Sequence, residues 1–262
     1  YCRYTAIPDA NFEAALSSYD DIPNDGLVPT AAIENVANLN VTLQSISDLT
    51  GIEDFTALKK LSCEFNNLTS IDVSNNLLLE ELYVSLNSIT SLDVSNNTAL
   101  KKIGANTTNI TNLDLTNNSA LEELNIFSNS NLTSLDVSNN SLLNRLIASS
   151  TSITSLDVSS NPLLTELHVH DTGLTSIDLT NNTAILQLRI NQTPIEDLDL
   201  STLSNLRVLN CSETNLYNLN IQNGNNTLIS EFNASSNPNL TCILVDDAAY
   251  SAGNTIWTNN ID

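Results

Sequence analysis

The six residues TSLDVS stand at 90–95 and recur at 133–138 and 154–159, with TSIDVS at 69–74 and TSIDLT at 175–180. They are the most regular part of a longer unit. Residues 58–76 read LKKLSCEFNNLTSIDVSNN and residues 79–97 read LEELYVSLNSITSLDVSNN. The same frame begins at Leu58, Leu79, Leu100, Leu121, Leu143, Leu164, Ile185, Leu206 and Ile229, in steps of 21 or 22 residues and one of 23. A degenerate first copy starts near Val36, with Leu39, Val41, Ile46, Leu49 and Ile52 in register, which makes about ten copies. Self-similarity at such a period is the signature of a chain that buries its apolar residues by stacking one unit on the next.

Each copy has two halves of the form L-x-x-L-x-V, as in Leu58-x-x-Leu61-x-Cys63 followed by Leu68-x-x-Ile71-x-Val73. The L-x-V ending alternates inward and outward residues, which is a strand signal. Ten or eleven residues per half leave no room for a helix and its turns. The spacing therefore predicts a coil with two short strands, stacked into two parallel sheets, one from segments such as Glu81-Leu82-Tyr83-Val84 and one from segments such as Ser91-Leu92-Asp93-Val94. Neighbouring coils lie about 4.8 Å apart, so each residue meets its own counterpart above and below. Leucine packs against itself inside. The column Asn66, Asn87, Thr108, Asn129, Thr151, Thr172, Thr193 and Thr214 is expected to satisfy backbone groups at a corner.

The runs L-x-x-L-x-V/C-x-x-N at 58–66, 79–87 and 121–129 resemble the leucine-rich repeat family, and more narrowly the bacterial 21-residue class with a nested L-x-x-L-D-V half. The resemblance covers roughly residues 36–245 and implies a leucine-rich repeat solenoid, mostly β, with few helices. Residues 1–35 are expected to form an N-terminal cap. Its helix is predicted within 5–18, capped by Asp9, with Phe12, Ala15 and Leu16 on one face. Residues 36–245 form the solenoid and residues 246–262 a C-terminal cap, in which Trp257 covers the last coil. The end segments also resemble flanks of such repeats in surface proteins of marine Bacteroidota.

Charge limits the partners. Thirty acids against 8 bases give a net charge of -22 among 262 residues. Such a surface repels phosphate backbones and anionic lipid, so nucleic acid is excluded as a partner. No apolar run reaches the roughly 18 residues of a membrane span, and no signal peptide is read in the sequence, which a mature exported chain is expected to have lost. A monomer is expected. The cations form ladders: Lys60, Glu81, Lys102, Glu123, Arg145 and Glu166 alternate in one column, and Lys59, Glu80, Lys101 and Glu122 in another. A slip by one coil would set like charges together, which disfavours wrong registers.

No catalytic constellation stands out: there is no Gly-rich phosphate loop, no GxSxG and no HExxH. The chain is expected to be non-enzymatic and to need no cofactor. The N-x-S/T triplets are by-products of the repeat. Cys63 and Cys211 occupy the inward V/C position about 34 Å apart at strand spacing, too far to pair. Both read as core thiols, with Cys2–Cys63 under the lid as an alternative, and Cys242 points outward. The column Asp72, Asp93, Asp114, Asp136, Asp157, Asp178 and Asp199 is expected to face water with pKa values raised by mutual repulsion. One carboxylate per coil supplies few of the oxygens that calcium needs, so a solvated, anti-aggregation face is the simpler reading. The loop DDIPNDG at 20–26 also misses a calcium-loop spacing, because Pro23 stands where a ligand is needed. His168-Val169-His170-Asp171 places two rings outward but offers no further metal ligand from adjacent copies.

The outward column of the first sheet varies: Ser62, Tyr83, Gly104, Asn125, Ile147, His168, Arg189, Asn210 and Asn233. Phe65, Leu86 and Phe127 follow just after the strands. Varied outward residues on a constant framework mark a contact face. The candidate partner-binding residues are Phe65, Tyr83, Leu86 and Phe127 as an apolar patch, with Ile147, His168, His170 and Arg189 beside it. The expectation is a non-enzymatic extracellular adhesion module for a protein or glycan. A structural spacer is the alternative, and ice binding by the regular Ser-Asp-Ser face is a weaker one.

Overall fold

The computed structural model describes residues 3–254. Cys2 and Trp257 lie outside the described residues, and with them the Cys2–Cys63 pairing and the tryptophan cover. The chain divides into two compact units, residues 1–131 and 132–262.

The first unit opens with β1 (Tyr4–Ala6), α1 (Ala10–Ala15), β2 (Leu27–Pro29) and α2 (Thr30–Ile33). The repeat then supplies β3 (Asn38–Asn40), β4 (Lys60–Ser62), β5 (Glu81–Tyr83), β6 (Lys102–Gly104) and β7 (Glu123–Asn125). These five pair in parallel, with Leu39, Leu61, Leu82, Ile103 and Leu124 in register. All five are buried, as are Cys63, Val84, Ala105 and Ile126 at the next inward position. The L-x-V spacing thus forms strands because it puts one apolar side chain per coil into a column that only a neighbouring coil can cover.

The second unit contains β8 (Arg145–Ile147), β9 (Glu166–His168), β10 (Gln187–Arg189), β11 (Asp197–Asp199), β12 (Val208–Asn210), β13 (Asn218–Asn220), β14 (Glu231–Asn233), β15 (Ile243–Leu244) and α3 (Ala248–Gly253). Strands β8, β9, β10, β12 and β14 pair in parallel with Leu146, Leu167, Leu188, Leu209 and Phe232 in register. A second parallel sheet is formed by β11, β13 and β15. In the other copies the L-D-V half is extended but not paired as strand.

The aspartate column marks the corner that follows that half. In seven successive copies the Asp Oδ1 accepts the backbone N–H two residues on, at 2.9 Å: Asp72 from Ser74, Asp93 from Ser95, Asp114 from Thr116, Asp136 from Ser138, Asp157 from Ser159, Asp178 from Thr180 and Asp199 from Ser201. This side-chain turn bends the chain into the next corner, after the paired strand β11 as in the unpaired copies. The expected rise in pKa is not found. The carboxyls of Asp72, Asp93, Asp114 and Asp157 are held below the ordinary value, first by the Ser or Thr hydroxyl two residues on and then by its N–H. At Asp178 the Thr180 N–H leads. Repulsion from the next aspartate is the smallest influence where it acts at all, because both carboxylates are in water.

The N-terminal helix is shorter than the 5–18 window. Ile7-Pro8 keeps the chain extended before it, and Thr5 instead pairs with Val28 across the β1–β2 antiparallel pair. Asp9 caps α1, its Oδ1 accepting from Asn11 N at 2.9 Å and Phe12 N at 3.0 Å. Its Oδ2 accepts from Ser47 N at 2.7 Å and Asp48 N at 3.0 Å in the first coil. Phe12 and Leu16 are fully buried, and the Phe12 ring lies 6.5 Å from that of Phe55. Gly51 has φ +103° and faces Ile7 and the Ala6 carbonyl so closely that a Cβ does not fit. The loop 20–26 is tied down by Glu13, whose Oε1 accepts from Asp25 N and Gly26 N.

Two asparagine columns close the corners. Asn66 Nδ2 donates to Cys63 O and Val41 O, and Asn87 Nδ2 to Val84 O and Cys63 O, so each amide joins two coils. Thr151, Thr172 and Thr193 hold the same corner but donate to the carbonyl three residues back in their own coil. A second column, Asn76, Asn97, Asn118, Asn140, Asn161 and Asn182, is fully buried. There Asn97 Nδ2 donates to Val73 O and Asn76 O, and Asn182 Nδ2 to Val158 O and Asn161 O. The asparagine three residues after each Val73-type inward residue was the available signal for this column, which periodicity of apolar residues passes over.

Candidate binding face

The outward side of the first sheet in each unit carries the residues that change from copy to copy. In the first unit, β4 to β7 present Lys60, Glu81, Lys102 and Glu123 at one outward position and Ser62, Tyr83, Gly104 and Asn125 at the other. Lys60 pairs with Glu81 at 2.8 Å and Lys102 with Glu123 at 2.6 Å. Glu80 is gripped by Lys101 at 2.7 Å and Lys59 at 3.1 Å, and those two lysines hold its carboxyl below the usual range. The alternating ladder is therefore present. The double change Glu81→Lys, Glu123→Lys is expected to lower Tm by a few degrees at low salt, and the loss should shrink at high salt. Melting curves at two ionic strengths check this.

Tyr83 is engaged with its own sheet. Its hydroxyl donates to Glu81 Oε2 at 3.1 Å, and Lys60 Nζ stands 5.0 Å from the ring centroid. The ring also lies over Gly104, where an added Cβ would come within 2.8 Å of Tyr83 Cδ1. Burial, then Glu81, pushes the phenol up to about 12. Glycine at 104 thus makes room for the ring, which leaves Tyr83 half-buried and oriented.

Phe65, Leu86 and Phe127 do not share one column. Phe65 and Leu86 are in register with each other and with Thr107, whereas Phe127 stands one position earlier, in register with Asn106 and Ser85, as the bonds Phe65 N to Ser85 O, Leu86 N to Asn106 O and Thr107 N to Phe127 O show. Phe65 is 51% exposed, Phe127 37%, and Leu86 is half-buried. The Phe65 column has left-handed backbone throughout, with φ of 54° at Phe65, 57° at Leu86 and 53° at Thr107. Leu43, which sequence reasoning did not single out, begins this column with φ 61° and 69% exposure. Its signal was its place seven residues after Val36 in the degenerate first copy. Exposed Leu77, Leu78, Leu142 and Leu163, on the turns that lead into the strands, were also not foreseen.

In the second unit, β8 to β10 bring Ile147, His168 and Arg189 side by side, with His170 two residues beyond His168. Arg145 Nε donates to Glu166 Oε2 at 2.8 Å, His168 Nε2 lies 3.4 Å from Glu166 Oε1, and Arg189 pairs with Glu231 at 3.2 Å. Burial lowers the pKa of both histidines, against the pull of Glu166 on His168 and of Asp171 on His170. Among the described residues no group of three or more His, Cys, Asp or Glu side chains is placed to hold a metal ion. Cys63 and Cys211 are buried, and burial pushes Cys211 up to about 12, as inert core thiols. Cys242 is exposed. Among the described residues no helix is long and apolar enough to cross a membrane.

No family model matches the chain. A stretch of 69 residues, 26% of this chain and 8% of its relative, is 33% identical to internalin J of Listeria monocytogenes. Among solved structures, the functional domain of InlJ from Listeria monocytogenes, described as including a cysteine ladder, superposes with a TM-score of 0.58 at 28% identity over 91% of this chain and 63% of that one. This chain therefore spans less than two thirds of that domain and a small part of the whole internalin. An internalin (inlF) of the same species superposes with a TM-score of 0.73 at 22% identity, covering 92% of this chain and 82% of the other. Together with the parallel strand register and buried leucine columns of this chain, these likenesses establish the architecture: the fold is a leucine-rich repeat solenoid.

Proposed function

We propose that the chain is a non-enzymatic, extracellular binding module that attaches to a protein or glycan at a cell or host surface through the outward side of its first sheet. The observation that carries the reading is the contrast between the two sides of each strand. Inward positions repeat Leu, Ile or Phe, while outward positions change from Ser62 to Tyr83 to Gly104 in successive coils and from Ile147 to His168 to Arg189 in others. A framework that holds unlike side chains in fixed register specifies a partner by the combination it displays. The internalin likeness supports a role in binding and an extracellular place.

The candidate contact residues of the first unit are Phe65, Leu86, Phe127 and the oriented ring of Tyr83, and those of the second unit are Ile147, His168, His170 and Arg189. Replacing Tyr83 and Phe127 together by Ala is expected to weaken attachment in a pull-down or glycan array by about tenfold or more while the melting transition stays cooperative. Unchanged attachment would overturn the assignment of these residues. Indifference to every outward substitution would favour a spacer whose faces serve length and solubility alone.

A further inference from the structure

The left-handed column after the first-sheet strands holds a feature that the varied sheet face does not explain. Each coil has one non-glycine residue there: Thr107, Ser128, Ser150, Asp171, Gln192, Glu213 and Ser236 in seven coils. Small or polar residues suit it, since Gly and Asn adopt this backbone most easily and bulky side chains least. Yet three successive coils of the first unit place Leu43, Phe65 and Leu86 in it, with φ between 54° and 61°. Their register follows from Leu43 N bonding to Glu64 O and Phe65 N to Ser85 O. Leu43 and Phe65 are 69% and 51% exposed, so they gain little from the core for this unfavourable backbone. Large exposed side chains held in strained backbone point to use by something outside the fold.

The charges say what chemistry that is. The cations of the first unit are all taken among the described residues: Arg3 by Asp54, Lys59 and Lys101 by Glu80, Lys60 by Glu81 and Lys102 by Glu123. The Glu64 carboxylate, between the ridge residues Leu43 and Phe65, accepts the Thr42 hydroxyl at 2.9 Å and joins no ion pair among the described residues. A second copy, itself at -22, would bring acid against acid. We infer that the Leu43–Phe65–Leu86 ridge docks an amphipathic, cationic protein segment, whose apolar side chains cover the ridge and whose Lys or Arg reaches Glu64. This rests on the binding-module reading and names the class of partner for one part of it.

The test uses the triple change Leu43→Asn, Phe65→Asn, Leu86→Asn, because asparagine tolerates left-handed backbone. The probes are three labelled synthetic peptides of equal length: one with Leu and Lys at helical spacing, one with Leu and Glu, and one with Ser and Lys. The wild-type chain is expected to bind the Leu/Lys peptide at least about tenfold more tightly than either of the others. The triple variant should lose that preference while its Tm stays equal or rises. Equal binding of the Leu/Lys and Ser/Lys peptides by the wild type would overturn the ridge as a docking site. So would unchanged peptide binding by the variant, or a fall in its Tm, which would make the ridge part of the packing. The Tyr83→Ala, Phe127→Ala chain serves as the separate arm. If it loses attachment but keeps the peptide, both readings stand, whereas a triple variant that loses the peptide and keeps attachment leaves the sheet face as the binding site and removes the ridge from it.

Discussion

Asn87→Ala is expected to cost about 4 kcal/mol, the largest loss foreseen for a single change in this chain, because two buried backbone groups, Val84 O and Leu68 N, lose their partner at roughly 1–3 kcal/mol each, while Cys63 O keeps only the Asn66 amide. Asn87 Nδ2 donates to Val84 O at 2.9 Å and Cys63 O at 3.0 Å, and its Oδ1 accepts from Leu68 N at 3.0 Å. Two of those partners lie in the preceding coil, so the amide fastens one coil to the next. Asn87→Thr is expected to cost about half as much, since a hydroxyl at this corner reaches only the carbonyl three residues back, as Thr151 does to Ala148 O at 2.8 Å. Thermal or urea unfolding of the two variants measures the difference. A Thr variant as stable as the wild type would mean that the coil-to-coil bonds of the amide contribute nothing to stability.

The second large effect concerns the N-terminal lid. Asp9→Ala removes the acceptor of four backbone N–H groups at once, two opening α1 and two in the first coil. Loss of an N-cap costs about 1 kcal/mol, and the two loop bonds bring the expected total to about 2–3 kcal/mol, held down by the solvent access of the carboxylate. Amide exchange should quicken across β1 and α1 before it quickens in the strands of the repeat, because the lid can detach without opening the stack. The acid limb follows from the same group. Burial pushes Asp9 up, but the N–H groups of Ser47, Phe12, Asp48 and Asn11 together outweigh it and hold the carboxyl below its ordinary value of 3.8. A group lowered in the folded state contributes stability that is present in full above its unfolded pKa and is lost as pH falls through the folded one. The wild-type lid is therefore expected to loosen only below about pH 4, and Asp9→Asn to flatten that dependence. Amide protection in β1 and α1 that falls equally with falling pH in both chains would show that Asp9 does not set the limb.

How far the sequence could be read depended on the kind of contact. The coil, its 21-residue step and the inward residues Leu61, Leu82 and Leu124 were legible because they rest on a local period that every copy restates. The charge ladder was legible for the same reason, each partner lying one period away. The candidate patch was legible only in part. Phe127 was grouped with Phe65 and Leu86 although it stands one position earlier, and Leu43 was passed over because its copy is the most degenerate. The buried amides of Asn76 and Asn97 were missed because apolar spacing does not say which of two adjacent asparagines turns inward.

By itself, then, the order of residues determined the repeat, the strand it builds, the columns that face the core and the excess of acid on the surface. Only the tertiary structure decided the sign of the aspartate shifts, the orientation of Tyr83 over Gly104, and the left-handed backbone that holds Leu43, Phe65 and Leu86 outward. Each of these depends on a hydrogen bond, a missing Cβ or a φ angle set where the chain turns. Those are properties of neighbouring atoms in space, on which a pattern of apolar spacing carries no information.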